Sequence, residues 1–162
     1  MKVALVILHA DPARGGAERY TVDLANALSG RGHEVSLVAT SFAAPPTAPI
    51  NQVQLQTQGA TRTGRYRRFL GRLDEHLGRH RYDVVHAMLP VRRCDVYHPH
   101  AGLAAEQARR WNALLNPRRV MMATVEARLL AAPQPPLVLA LSEYVKQNIF
   151  RHYPALRLDR NP

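Results

Sequence analysis

Arg14-Gly15-Gly16-Ala17-Glu18-Arg19 stands between an apolar run, Val3 to Leu8, and an amphipathic segment, Tyr20 to Leu28. Two glycines let a backbone come close to a ligand. The free N–H groups and positive end of a following helix then favour an anion. Strand, glycine turn and helix in this order can hold a phosphate, and a plain tight turn reads the same way. The string is neither a G-x-G-x-x-G fingerprint nor a P-loop, because the third glycine and the Gly-Lys-Ser/Thr ending are missing. Downstream, His86, His98, His100, Ser142 and Glu143 are the other residues whose types carry chemistry. His98 and His100 are two apart and so share a strand face, where two imidazoles can chelate. No third ligand is in register, and there is no Asp-x-Asp or H-E-x-x-H, so no metal ion is expected.

The elements that must position these residues alternate in type. Lys2 to Leu8 is nearly all aliphatic, which predicts a strand covered on both faces of a parallel sheet. Thr21, Leu24, Ala25 and Leu28 recur at helical spacing within Ala17 to Ser29. Gly30 to His33 ends that helix, and Glu34 to Thr40 predicts the second strand, completing a βαβ unit. Ser41 to Pro49 holds three prolines and reads as a loop. A strand is expected at Gln52 to Gln56, a helix at Gly64 to His80 and strands at Tyr82 to Ala87 and Cys94 to Tyr97. Leu103 to Leu130 reads as mostly helical, with an interruption near Asn116-Pro117. A last strand is expected at Leu137 to Leu141, and Ser142 can cap a helix running from Glu143 to about Arg151. The fold class is therefore α/β, a Rossmann-like parallel sheet with helices on both faces. In such sheets ligands bind beyond the carboxyl ends of the strands. Gly15 and Gly16, His86, His98 and His100, and Ser142 and Glu143 all fall at such ends.

The chain of 162 residues is long enough for one domain with a sizeable core. A single cysteine, Cys94, rules out a disulfide framework and fits a reducing, cytoplasmic setting. Only Lys2 precedes the first apolar run, which is short and leads into patterned structure, so no signal peptide is expected. No segment has the roughly 18 apolar residues of a membrane span. The net charge of +10 calls for an anionic partner or a solvated, arginine-rich face. Few aromatics and no helix-turn-helix, zinc-finger or RNP pattern argue against nucleic acid. Ala104 to Leu130 interleaves Arg109, Arg110, Arg118 and Arg119 with Trp111, Leu114, Leu115, Val120, Met121 and Met122. That mixture suits the headgroup boundary of an anionic membrane, and equally a helix packed on the core with its arginines in solvent.

Four strings, "GGAERYTVDLANALSGRGHEVSLVAT", "YDVVHA", "DVYHPHAGL" and "LALSEYVKQNI", cover nearly the whole chain. In that order and spacing they resemble the N-terminal half of retaining glycosyltransferases of the GT-B architecture, family 4. The segment from Asp95 to Leu130 is most similar to the lipopolysaccharide-core hexosyltransferases.

The resemblance implies a nucleotide-sugar donor and a lipid-linked, lipopolysaccharide or polysaccharide acceptor, with no cofactor. It implies that the amides of Gly15 and Gly16 lie against the donor diphosphate. It places His98 or His100, with His100 favoured, at the transferred sugar, and Ser142 and Glu143 at the cleft, where Ser142 also reads as a plain helix cap. Family members hold the nucleotide-sugar mainly with a C-terminal domain carrying a basic pair and an E-x7-E motif. Neither is present in this sequence. Residues 1–162 therefore read as the acceptor-side domain without that half, inactive in isolation and working on the inner face of the cytoplasmic membrane. The alternative is a catalytically inactive module of the same fold that binds an anionic membrane surface or a partner domain.

Overall fold

The structure is a computed structural model and describes residues 1–43, 48–100, 102–108, 116–154 and 156. Its centre is β1 (Lys2–Val6), flanked by β3 (Glu34–Ala39) and β6 (Val84–Ala87). With β5 (Ile50–Gln54), β7 (Val96–Tyr97) and β8 (Leu137–Val138) they form one six-stranded sheet in the order β5-β3-β1-β6-β7-β8. Every pairing is parallel. The carboxyl ends of all six strands therefore share one edge, as the alternation of elements predicts.

The period of two along β1 explains its aliphatic run. Ala4 and Val6 enter one apolar cluster, with Phe69, Leu70 and Leu73 of α2 (Arg62–Arg79). Val3 and Leu5 enter another, with Ala25 of α1 (Gly16–Gly30). A strand covered on both faces has no polar position to spare. On the α2 face, Met121, Met122 and Val125 of α4 (Pro117–Leu130) join the packing. Helices thus cover both faces.

Three local differences from the sequence expectations have plain causes. Ser41 to Pro49 is not all loop: β4 (Ser41–Phe42) pairs in parallel with β2 (His9–Ala10), a two-residue ladder too short to show a pattern. β5 starts two residues early because Ile50 is buried opposite Val35, while Asn51 and Gln52 face solvent. Asn116-Pro117 starts a helix: the Asn116 side chain accepts a hydrogen bond from the Arg119 N–H at 3.3 Å, and proline occupies the first turn. Proline's fixed φ and missing donor suit that position. The turn after α1 needs its glycine, since Gly32 has φ +82°.

A third apolar cluster, including Tyr97, Leu129, Leu130, Val138 and Ile149, joins β7 and β8 to α4 and to α5 (Glu143–His152). One charged residue sits inside this corner. Glu126 of α4 is fully buried. Its Oε2 accepts from the Tyr97 hydroxyl at 2.6 Å and the Ala104 N–H at 2.8 Å. Its Oε1 accepts from the Ala105 N–H and the Tyr153 hydroxyl, both at 3.0 Å. Ala104 and Ala105 open the short helix α3 (Ala104–Ala108). A single carboxylate therefore ties β7, α3, α4 and the end of α5 together, with all of its acceptor capacity used.

Candidate functional site

The glycine loop follows β2 at the carboxyl edge. Asp11 shapes it: its side chain accepts from the Ala13 N–H and its carbonyl from the Arg14 N–H, both at 3.0 Å. Gly15 is extended, with φ 171°, a conformation open to any residue. A Cβ on Gly16 would meet nothing within 4 Å, and one on Gly15 only the flexible Glu18 carboxylate at 3.1 Å. The fold itself does not demand glycine at either position. What the pair leaves is room above the first turn of α1, whose N–H groups no side chain caps. Such unfilled donors are where an anion binds.

One turn into α1, Tyr20 carries the loop toward the histidines. Its ring centroid lies 5.1 Å from those of His98 and His100. His98 is 5.0 Å from His100 and 5.7 Å from His86. β6 supplies His86, and β7 ends one residue before His98, whose N–H donates to the Ala87 carbonyl at 2.8 Å. Adjacent parallel strands thus gather three histidines on the α1 side of the sheet, two of them against Tyr20.

The electrostatics of this cluster are unusual. His98 is 2% exposed and His86 7%. Neither ring nitrogen of His98, nor Nε2 of His86, has a hydrogen-bond partner. Burial, and then the neighbouring His98, lower the pKa of His86 to about 4. Burial and His100 also lower that of His98. Both rings are neutral at pH 7, so each offers one donor and one acceptor. Orphaned polar atoms this deeply buried are rare and call for a ligand, a water or a strain. Among the described residues no three of His, Cys, Asp and Glu come together as metal ligands would.

Ser142 and Glu143 stand apart from this group. The Ser142 hydroxyl caps α5, accepting from the Val145 N–H at 3.3 Å. Glu143 is exposed and pairs with Lys146 at 3.6 Å. Among the described residues neither touches the histidines. Arg109, Arg110 and Trp111 lie outside the described residues. Arg119 lines a small cavity of about 70 Å³ beside Met88, Tyr97 and Met122. Arg118 is not on an outer face: it turns into a basic pocket with Arg14, Arg62 and Arg65. Sequence spacing does not reveal Tyr20 as a site residue. Its one signal is its place four residues after Gly16, on the same helix face.

The sequence profile of Glycosyltransferase Family 4 matches residues 14–159. Among solved structures, the chain superposes on WaaG, a glycosyltransferase involved in lipopolysaccharide biosynthesis, with a TM-score of 0.86. Identity is 21%, over 98% of this chain and 43% of that one. It also superposes on sucrose-phosphate synthase from Thermosynechococcus elongatus, with a TM-score of 0.62 and 19% identity over 94% of this chain and 45% of that one. At these identities the two structures establish the fold. The chain spans less than half the length of either. No curated protein matches it.

Proposed function

Since the chain belongs to Glycosyltransferase Family 4, we propose that it is the acceptor-side half of a retaining glycosyltransferase. The enzyme would move a hexose from a nucleotide-sugar to a lipid-linked, lipopolysaccharide or polysaccharide acceptor. The observation that carries this reading is the buried, unpaired His98 beside the glycine loop of α1. Neutral imidazoles with free donors and acceptors match sugar hydroxyls, which both give and take hydrogen bonds. The amides of Gly15 and Gly16 would stabilise charge on the departing diphosphate.

The chemistry asks little more of this half. Transfer passes through an oxocarbenium-like state while a diphosphate leaves, so catalysis is positioning and charge stabilisation. His98 and His100 hold the reacting sugar, the uncapped helix end faces the leaving group, and no metal ion takes part. A second α/β domain supplies most contacts to the nucleotide. The basic segment 104–130 holds the domain at the cytoplasmic face of the membrane, where such acceptors are presented. Among the described residues no helix is long and apolar enough to cross a membrane.

The test compares the 162-residue chain with the same chain joined to a family C-terminal domain. Release of nucleoside diphosphate from a panel of nucleotide-sugars is followed with candidate acceptors present. The isolated chain should show no measurable transfer, and the joined protein should turn over. Robust transfer by the chain alone would overturn the half-site reading. No turnover by any folded two-domain protein would favour the non-enzymatic alternative.

A further inference from the structure

A pocket of about 480 Å³ opens at the same sheet edge, toward α2 and α4 rather than α1. Its size is within the usual range for small-molecule sites, roughly 300–1,000 Å³. Arg62 and Arg65 reach it from α2, Arg118 from the first turn of α4, and Arg14 from the residue before Gly15. Thr40 and Thr57 add hydroxyls, and no carboxylate lines it.

Three arginines outside the pocket are paired. Arg72 and Arg79 pair with Glu75 at 3.0 and 2.8 Å, and Arg92 pairs with Asp74 at 2.5 Å. Of the four in the pocket, only Arg65 has a fixed partner, the Gly59 carbonyl at 3.3 Å. Among the described residues, the side chains of Arg14, Arg62 and Arg118 have no hydrogen bond or ion pair. Burial, and then the charges of Arg62 and Arg65, disfavour the protonated form of Arg118. The adjacent His9 is likewise held below its usual pKa by burial, Arg14 and Arg118, against the opposing pull of Glu18 and Asp11.

Four converging guanidinium groups with no counter-charge are costly in a free protein, and the partial burial of Arg118 raises the cost. A compact dianion relieves it. Planar guanidinium forks match phosphate oxygens in pairs. The volume left beyond one phosphate admits a sugar ring.

We propose that this pocket binds a phosphomonoester, carried by the saccharide that accepts the transferred sugar. The word acceptor rests on the transferase reading, whereas the anion site rests on the pocket alone. The phosphate would hold the acceptor from the α2–α4 side, while the histidines hold the donor sugar from the α1 side, with Arg14-Gly15 between them.

The 162-residue chain is titrated at low salt with glucose 6-phosphate, glucose, and vesicles of phosphatidylcholine with or without phosphatidic acid. Binding is read by calorimetry and by the rise in melting temperature. Glucose 6-phosphate should bind and stabilise, and glucose should do neither. R62Q and R118Q should each weaken binding roughly tenfold or more, the loss expected for one charge-assisted contact. R79Q, on the outer side of α2, should bind as wild type. R118Q should also melt no lower than wild type without ligand, since it removes an unpaired, half-buried charge, so lost binding there is not lost folding. Unchanged affinity in both pocket variants, or no stabilisation by glucose 6-phosphate, would overturn the site. Binding only to phosphatidic acid vesicles would move the phosphomonoester to a lipid headgroup and overturn the saccharide assignment. In the two-domain protein, R62Q should raise KM for a phosphorylated acceptor at constant kcat. Phosphate binding that persists in an inactive two-domain protein would sink the transferase reading and leave the site standing.

Discussion

Replacing Glu126 tests how the histidine-bearing edge is held. Glu126→Ala removes the acceptor for four donors at once: the hydroxyls of Tyr97 and Tyr153 and the N–H groups of Ala104 and Ala105. Each buried donor left without an acceptor costs about 1–3 kcal/mol, and the truncated side chain leaves a void as well. Relief from burying a carboxylate offsets part of this, so the net cost is about 3–5 kcal/mol. For a domain of this size each kcal/mol lowers the melting temperature by roughly 2–4 °C, so a fall of roughly 10 °C is expected. Glu126→Gln separates the hydrogen bonds from the packing. Its amide nitrogen must replace one carboxylate oxygen, and either choice sets an NH₂ against a backbone N–H, that of Ala104 or that of Ala105. The tyrosine hydroxyls can turn round to accept, but the backbone cannot. Glu126→Gln should therefore lose about 1–3 kcal/mol with the core volume unchanged. Thermal melts at pH 7 give both values. If Glu126→Ala melts within two degrees of wild type, the carboxylate does not hold this corner.

Acid should weaken the fold through the histidine cluster. The pKa of His86 is about 4 in the folded chain, below the ordinary 6.5. The unfolded chain therefore binds more protons between those values, and stability present above pH 6.5 is lost as the pH falls toward 4. At pH 5 the loss from His86 alone is about 2 kcal/mol; His98, His9 and His76, also lowered, add to it in the same direction. His86→Phe should flatten the curve of melting temperature against pH, and an unchanged slope would refute the assignment. Gly16→Val should fold normally, since its Cβ enters open space, yet cut transfer by the two-domain enzyme at least tenfold. Wild-type rates would free the glycine loop of any part in donor binding. His98→Ala and His100→Ala should each lower kcat in that enzyme; if both keep wild-type rates, the reacting centre lies elsewhere. The chain should sediment with anionic but not zwitterionic vesicles, with a blue shift of Trp111 fluorescence. Neutralising Arg109, Arg110 and Arg119 should weaken this, and equal binding to both vesicle types would count against a headgroup site.

The fold was legible because buried parallel strands leave an unmistakable mark. Val3 to Leu8 and Glu34 to Thr40 are long, aliphatic and bounded by glycines or polar turns. The two-residue strands β2 and β4 leave no such mark, since two residues cannot display a period. β7 and β8 lie within the strands expected at Cys94 to Tyr97 and Leu137 to Leu141, but are shorter. The histidines were legible as strand-end residues, but their burial was not, since whether a ring finds a partner depends on packing between strands distant in sequence. The pocket was the hardest feature to foresee. Arg62 and Arg65 read as part of a solvated basic run, and Arg118 as part of a membrane-facing segment. Only the crossing of α2 and α4 places them together. Glu126 likewise gives no sign in sequence, since a carboxylate in a helix is ordinarily exposed.

The sheet is also unequal across its width. β1 matches β3 at five positions and β3 matches β5 at five, whereas β6–β7 and β7–β8 match at two each. Few ladder bonds guard the last two strands, and the Glu126 junction takes their place. Opening of this corner should therefore be a separate, cheaper event than melting of the whole domain. In an amide-exchange experiment, protons in β1 and β3 would leave only on global unfolding, while those near Tyr97, Ala104 and Ala105 would leave sooner. His98 and His100 follow directly after β7, on the boundary between the two regimes. The histidine-bearing edge is thus built where one side is rigid and the other can yield.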